Sequence, residues 1–212
     1  MPIASINNSR YFLLCKDEFS TYTHVYFQKS KGETDIALAK LICEFEVDTK
    51  NGILRIQSDK GTEFNNAKVE TLSAIEHIVH ETTAVRAPQQ NGLIEREVQN
   101  IGNMARTSLL ASDLPPELWE HAIETACYLR NRLPNSRVPN TPYEMIFSRK
   151  PVLSHLCNFG QQVHVIVNGH YLTRFESRTE PGHVVGFTRR RNTYRVYLLN
   201  SGRVIDTQVA CC

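Results

Sequence analysis

The apolar positions of this chain change period several times, and each change marks an element. Tyr11-Phe12-Leu13-Leu14-Cys15 is a continuous apolar run that stops at Lys16-Asp17-Glu18, the pattern of a buried strand. Thr23-His24-Val25-Tyr26-Phe27 combines β-branched and aromatic residues and predicts a second strand. Only Asp17 to Thr21 stands between the polar break and that strand, so the two are expected to pair antiparallel. From Thr34, read as an N-cap, Ile36, Ala39, Ile42 and Phe45 recur at helical spacing until Lys50-Asn51-Gly52, which predicts a helix. Ile53-Leu54-Arg55-Ile56 predicts a short strand, and Asp59 falls just beyond its C-terminal end. In open α/β sheets, ligands and catalytic groups gather at that end of the strands.

Asn66 is placed to cap a helix running to about Leu72, and Ile78-Val79 marks another short strand. After Pro88 a long helix is predicted from about Asn91 to Ala111, with Ile94, Val98, Ile101, Ala105 and Leu109 as its apolar stripe. Asn91, Glu95, Gln99 and Arg106 fall on or near the opposite flank, so Glu95 is expected to project from the first turn, beside Asn91. Pro115-Pro116 opens a second helix that buries Leu118, Trp119, Ala122, Ala126, Leu129 and Leu133 and stops at Pro134. Beyond Asn135 the texture changes. Pro139, Pro142 and Pro151 mark an irregular connector over 135–160. Four short strands then follow, Val163–Val167, Val184–Phe187, Tyr194–Leu199 and Val204–Val209, with Asn200-Ser201-Gly202 as a hairpin turn. The expected fold class is α/β, with a core over 1–134 and a small β-rich domain over 161–212.

Composition narrows the classes. At 212 residues and 41% hydrophobic, the chain can bury a sizeable core and is not a disordered segment. No apolar run approaches the ~18 residues of a membrane span. The start, Met1-Pro2-Ile3-Ala4-Ser5-Ile6, lacks the basic head and apolar core of a signal peptide. The six cysteines form no Cys-x-x-Cys pair, and His77 and His80 have no cysteine pair to complete a zinc site. Free thiols in a reducing compartment, nuclear or cytoplasmic, are expected. Net charge is only +2, but residues 86–212 carry 15 Lys+Arg against 10 Asp+Glu, almost all of the basic charge being arginine. Arginine's planar fork suits phosphate, although a solvated surface accounts for the excess equally well.

The chemistry is concentrated in two blocks. Ser58-Asp59-Lys60-Gly61-Thr62-Glu63-Phe64 holds one carboxylate after a strand, and Pro88-Gln89-Gln90-Asn91-Gly92-Leu93-Ile94-Glu95-Arg96 holds another on a helix. Thirty-five residues, 60 to 94, lie between Asp59 and Glu95. Two carboxylates at one sheet edge can share divalent ions, and shared ions are one route to cutting and rejoining phosphodiesters. Taken alone, Asp59 also suits a turn cap, and Glu95 suits a first-turn glutamate facing the helix dipole.

These blocks, with Asp17-Glu18-Phe19-Ser20, Arg130-Asn131-Arg132, Thr141-Pro142-Tyr143-Glu144, Ser154-His155-Leu156, Phe159-Gly160 and Tyr194-Arg195-Val196-Tyr197, resemble the integrase segment of a Copia-type retrotransposon Pol polyprotein over nearly the whole chain. The resemblance implies a ribonuclease-H-like mixed sheet of five strands with helices on both faces. It also implies three carboxylates around two Mg²⁺ or Mn²⁺ ions, and 3′-end processing and strand transfer on double-stranded DNA by a multimer. Asp59 and Glu95 match the second and third of those carboxylates. Gln90, Asn91 and Arg96 match positions that flank the site and contact DNA. Glu63 matches a structural neighbour of the site and not a ligand. Arg189-Arg190-Arg191, between two strands of the C-terminal unit, is a DNA-backbone candidate, with a solvated hairpin tip as the plain alternative.

The chain departs from the pattern at its start. The family's first aspartate sits on a central strand that precedes the first hairpin, and none of the ten residues before Tyr11 is acidic. Asp17 matches a different position, and a turn cap is expected for it. Without the central strand, Tyr11–Cys15 and Ile53–Ile56 lose a shared neighbour. Pro2–Ile6 is the available segment that would fill the gap. The expectation is an N-terminally truncated integrase core with an incomplete two-metal site, inactive alone. The competing expectations are a non-catalytic, domesticated or remnant DNA-binding or interaction module, and a nuclease of the same fold acting on RNA–DNA hybrids. The last leaves the Pro88–Arg96 block unexplained.

Overall fold

A computed structural model describes residues 1–82, 88–166, 179–188 and 193–208, with the backbone alone described at 88–91. β1 (Tyr11–Lys16) and β2 (Thr23–Gln28) pair antiparallel, Tyr11 opposite Gln28 and Lys16 opposite Thr23. Asp17 shapes the turn: its Oδ2 accepts from the Ser20 amide at 2.7 Å and the Ser20 hydroxyl at 2.6 Å. It is the expected turn cap.

α1 (Thr34–Thr49) follows a 3-10 turn at Lys31–Glu33. Thr34 is its first residue and not its cap; the Thr34 hydroxyl donates back to the Lys31 carbonyl at 2.9 Å. The stripe expected here is met only in part: Ile42 is buried and Phe45 half-buried, but Ile36 and Ala39 are exposed. Ala37, Leu38 and Leu41 are buried against Tyr26 and Val69, whereas Ile36 is 65% exposed. The sequence of α1 is apolar around most of its circumference, so two stripes compete. The partners available on β2 and on the next helix decide between them.

β3 (Arg55–Ser58) and β4 (Val79–Thr82) pair in parallel, and α2 (Ala67–Ile75) crosses between them. Asn66 caps α2 as expected, its Oδ1 accepting from the amides of Lys68 and Val69. The strand begins two residues later than predicted, and Leu54 is 81% exposed. Among the described residues β1–β2 and β3–β4 are separate two-stranded sheets with no ladder between them. The N-terminal segment does not fill that gap. It is bound to the start of the second long helix instead, through Ile6 N–H to Glu117 O at 2.9 Å and Trp119 Nε1 to Ile3 O at 3.1 Å.

α3 (Pro88–Ser112) packs on α4 (Trp119–Arg130). Ile101, Ala105, Trp119, Ala122, Ile123 and Ala126 form the main core with Leu14 of β1. Full burial of a large apolar side chain there contributes about 1.5–3 kcal/mol. α3 starts at Pro88, so Glu95 stands about two turns into the helix and not in its first turn. α4 ends at Arg130, before Pro134, and Leu133 is 49% exposed.

The stretch read as an irregular connector contains a further helix, α5 (Pro142–Phe147). Thr141 and Glu144 close a capping box on it, a local signal that outweighs the surrounding prolines. The last four strands, β5 (Gln162–Ile166), β6 (Thr179–Phe187), β7 (Tyr194–Leu198) and β8 (Arg203–Thr207), form an antiparallel meander. Gly202, at φ +63°, closes the expected hairpin. The sheet packs on α4, where the Thr125 hydroxyl donates to the Val185 carbonyl at 3.1 Å.

Candidate active site

Asp59 lies one residue past β3, exposed, with Oδ1 accepting from the Gly61 amide at 3.0 Å. The tight turn brings a second carboxylate alongside. A Cβ built on Gly61 would lie 2.9 Å from Asp59 Oδ1 and 2.7 Å from Glu63 Oε2. Glu63 is committed elsewhere, accepting from Lys31 Nζ at 3.1 Å. Its own backbone N–H, then Lys31, hold its carboxyl below the usual range against a small cost of burial. Behind Asp59, Ser58 Oγ and His80 Nε2 are 2.9 Å apart, His80 lying on β4.

Glu95 and Arg96 are exposed on α3. Gln90 and Asn91 lie in the first turn of α3, and their side chains fall outside the described residues, as does the whole Arg189-Arg190-Arg191 run. Among the described residues neither Asp59 nor Glu95 has an ion-pair partner, and no three His, Cys, Asp or Glu side chains cluster as a metal site. Among the described residues Cys15, Cys43, Cys127 and Cys157 form no disulfide.

One charged group escaped the sequence reading. Glu97 is 4% exposed. Its Oε2 is 2.5 Å from Lys16 Nζ at the end of β1, and its Oε1 is 2.9 Å from Arg130 Nε at the end of α4. Burial pushes this carboxyl up, but Lys16 and then Arg130 outweigh it, so the net displacement is below the usual range. The signal was available: Glu97 falls three residues after Ile94 and four before Ile101, inside the apolar stripe. His121 of α4 is a second buried polar group. It is 6% exposed, neither ring nitrogen has a partner among the described residues, and burial lowers its pKa. It lines a cleft of about 500 Å³ together with Glu120, Glu124 and Arg195.

The donors suit a hard divalent ion in kind, since Asp59 and Glu95 offer carboxylate oxygen. The Gly61 cradle leaves no room for a side chain between Asp59 and its neighbour. In number they fall short of a two-ion site among the described residues.

The described residues form a mixed α/β core followed by a C-terminal antiparallel sheet. A chain of the simian T-cell lymphotropic virus intasome, solved with the PP2A regulatory subunit B56 gamma, superposes over 99% of this chain and 76% of its own length, at a TM-score of 0.57 and 15% identity. The homologues of the sequence are retrotransposon Pol polyproteins, Copia-type elements of plants and yeast Ty1 elements among them. The Pol polyprotein of transposon TNT 1-94 from Nicotiana tabacum is 30% identical over 93% of this chain, and that of transposon RE2 from Arabidopsis thaliana 29% over 98%. The chain spans only 15% and 14% of those two polyproteins. No protein-family model matches it.

Proposed function

We propose that the chain is an integrase-type module acting on double-stranded DNA, with Asp59 and Glu95 as its metal-ligating carboxylates. What carries the reading is the place of Asp59, exposed at the C-terminal exit of β3 in a ribonuclease-H-like fold. Asp59 and Glu95 would hold Mg²⁺ or Mn²⁺, whose chemistry there is charge neutralisation at a phosphodiester. The Gly61 amide fixes one oxygen of Asp59 and leaves the other for a ligand. Arg96, with Gln90 and Asn91 one to two turns before it, would bind and orient the DNA backbone through hydrogen bonds to phosphate. Arg189, Arg190 and Arg191 would add backbone contacts in the C-terminal unit, giving a steep salt dependence.

In this reading the core covers 1–134, the connector 135–160 and the β-rich unit 161–212. The module works as a homo-oligomer in a DNA-containing compartment, nuclear or cytoplasmic. With two carboxylates it does not process 3′ ends or transfer strands by itself. The test is incubation of the purified chain with Mn²⁺ and a duplex that mimics an element end. Robust joining that Asp59→Asn abolishes overturns the claim of inactivity. Duplex affinity without divalent-ion binding favours the second reading, a non-catalytic DNA-binding or interaction module. That reading is supported by the lack of a three-group metal cluster among the described residues.

A further inference from the structure

We propose that Glu97 is a positioning residue for Glu95. The Lys16–Glu97–Arg130 bridge fixes the rotation of α3 about its own axis and so holds the Glu95 carboxylate on the outer flank. The proposal rests on the reading of Asp59 and Glu95 as metal ligands.

Three observations carry it. First, between Gly92 and Asn100 of α3, Glu97 is the one buried residue; Leu93 and Val98 are exposed, and Ile94 is half-buried. The apolar anchors Ile101 and Ala105, at 0% and 3% exposure, come later. The rotational setting of the half that bears Glu95 therefore depends on Glu97. Second, each oxygen of Glu97 is taken by a different cation, Oε2 by Lys16 of β1 and Oε1 by Arg130 of α4. Two charge-assisted bonds from two elements set the direction of the carboxylate, whereas an apolar side chain in the same space tolerates sliding. Third, residues two apart on a helix diverge by about 200°. An inward Glu97 therefore means an outward Glu95, and a roll of α3 by one residue would swing Glu95 by about 100°.

Paramagnetic broadening by Mn²⁺ in ¹⁵N-labelled full-length chain tests the idea. In the wild type, one added equivalent is expected to broaden both the Asp59–Gly61 turn and residues 94–96. In folded Glu97→Ala, broadening should persist at the turn and fade at 94–96, with Mn²⁺ affinity about tenfold weaker, as for loss of a group that orients a metal ligand. Glu97→Gln keeps the shape and one acceptor and should partly restore both readouts; it decides the matter if Glu97→Ala does not fold. The triple variant Lys16→Met, Glu97→Met, Arg130→Met separates positioning from stability. If it is as stable as the wild type and still broadens 94–96, burial alone orients the helix and the proposal falls. Unchanged broadening in folded Glu97→Ala or Glu97→Gln also overturns it. A wild type in which Mn²⁺ reaches the turn and not 94–96, or in which Glu95→Gln changes nothing, overturns the metal-ligand reading itself.

Discussion

Asn131 offers the sharpest test of how the core is held. Its side chain is 3% exposed and meets β2 as a further strand would. Oδ1 accepts from the Thr23 amide at 2.8 Å, and Nδ2 donates to the Thr23 carbonyl at 2.7 Å. Cys127 Sγ donates to the same carbonyl at 3.1 Å. Asn131→Ala removes both amide bonds. The carbonyl keeps a weak thiol donor, but the Thr23 amide is orphaned in a buried position. An unsatisfied buried group costs about 1–3 kcal/mol, and the lost bond to the carbonyl adds about 1 kcal/mol. The expected loss is about 2–4 kcal/mol, read as a lower urea midpoint at unchanged slope. Asn131→Asp should be worse at neutral pH, because a carboxylate accepts from the Thr23 amide but faces its carbonyl without a proton. Burial raises the pKa of such a group in the folded state. The folded state then binds more protons than the unfolded one between the two pKa values, so this variant regains stability as pH falls through that window. A loss below about 0.5 kcal/mol in Asn131→Ala, the size of an ordinary surface substitution, would refute the argument.

Three further outcomes are expected. Gly61→Ala places a Cβ 2.7 Å from Glu63 Oε2 and 2.9 Å from Asp59 Oδ1; the carboxylates swing apart, so Mn²⁺ affinity falls while stability moves by only about 0.5 kcal/mol, and unchanged affinity by calorimetry would count against Asp59 as a ligand. Glu97 has a lowered pKa in the folded state, so its contribution is complete above the ordinary glutamate range and is lost as pH falls through the folded-state value; the triple methionine variant should show a weaker stability decline over that acid range, and an identical decline would place the acid-sensitive group elsewhere. Burial pushes the Cys15 and Cys127 thiols up to about 12, whereas Cys43 is exposed; alkylation at pH 8 followed by peptide mass spectrometry should mark Cys43 early and the other two only on unfolding.

What the sequence made legible was what short-range chemistry decides. The β1–β2 hairpin, the Asn66 cap, the Gly202 turn and the position of Asp59 after β3 all follow from local residue types. The errors share a different cause. The face of α1 depended on Tyr26 and Val69, partners distant in the chain. The start of α3 carries no apolar signal before Leu93, because its first turn is Pro88-Gln89-Gln90-Asn91, so the pattern predicts a helix that starts three residues late. The partners of Glu97 are not local, because the cations that balance it are Lys16, 81 positions away, and Arg130, 33 positions away. A carboxylate inside an apolar stripe is a usable sign that such partners exist, and this chain shows where they come from.

The Arg130-Asn131-Arg132 block makes the same point about function. Its three polar residues are part of the pattern that resembles an integrase segment. The structure turns each of them to the protein itself. Arg130 holds Glu97, Asn131 pairs with the backbone of β2, and the Arg132 guanidinium stacks over Tyr128 at 3.4 Å and faces Tyr143 at 4.7 Å. The groups left open by this arrangement are others. Asp59, Glu95 and Arg96 are exposed and, among the described residues, have no ion-pair partner. Burying a charge without a partner is costly, so the buried carboxylate of α3, Glu97, is tied up with Lys16 and Arg130. What remains for metal or phosphate is the set on the outer flank of α3 and at the end of β3. Removing an exposed member of that set should weaken ligand binding and leave the fold intact, removing Asn131 should do the reverse, and removing Arg130, which holds the helix that carries Glu95, should do both.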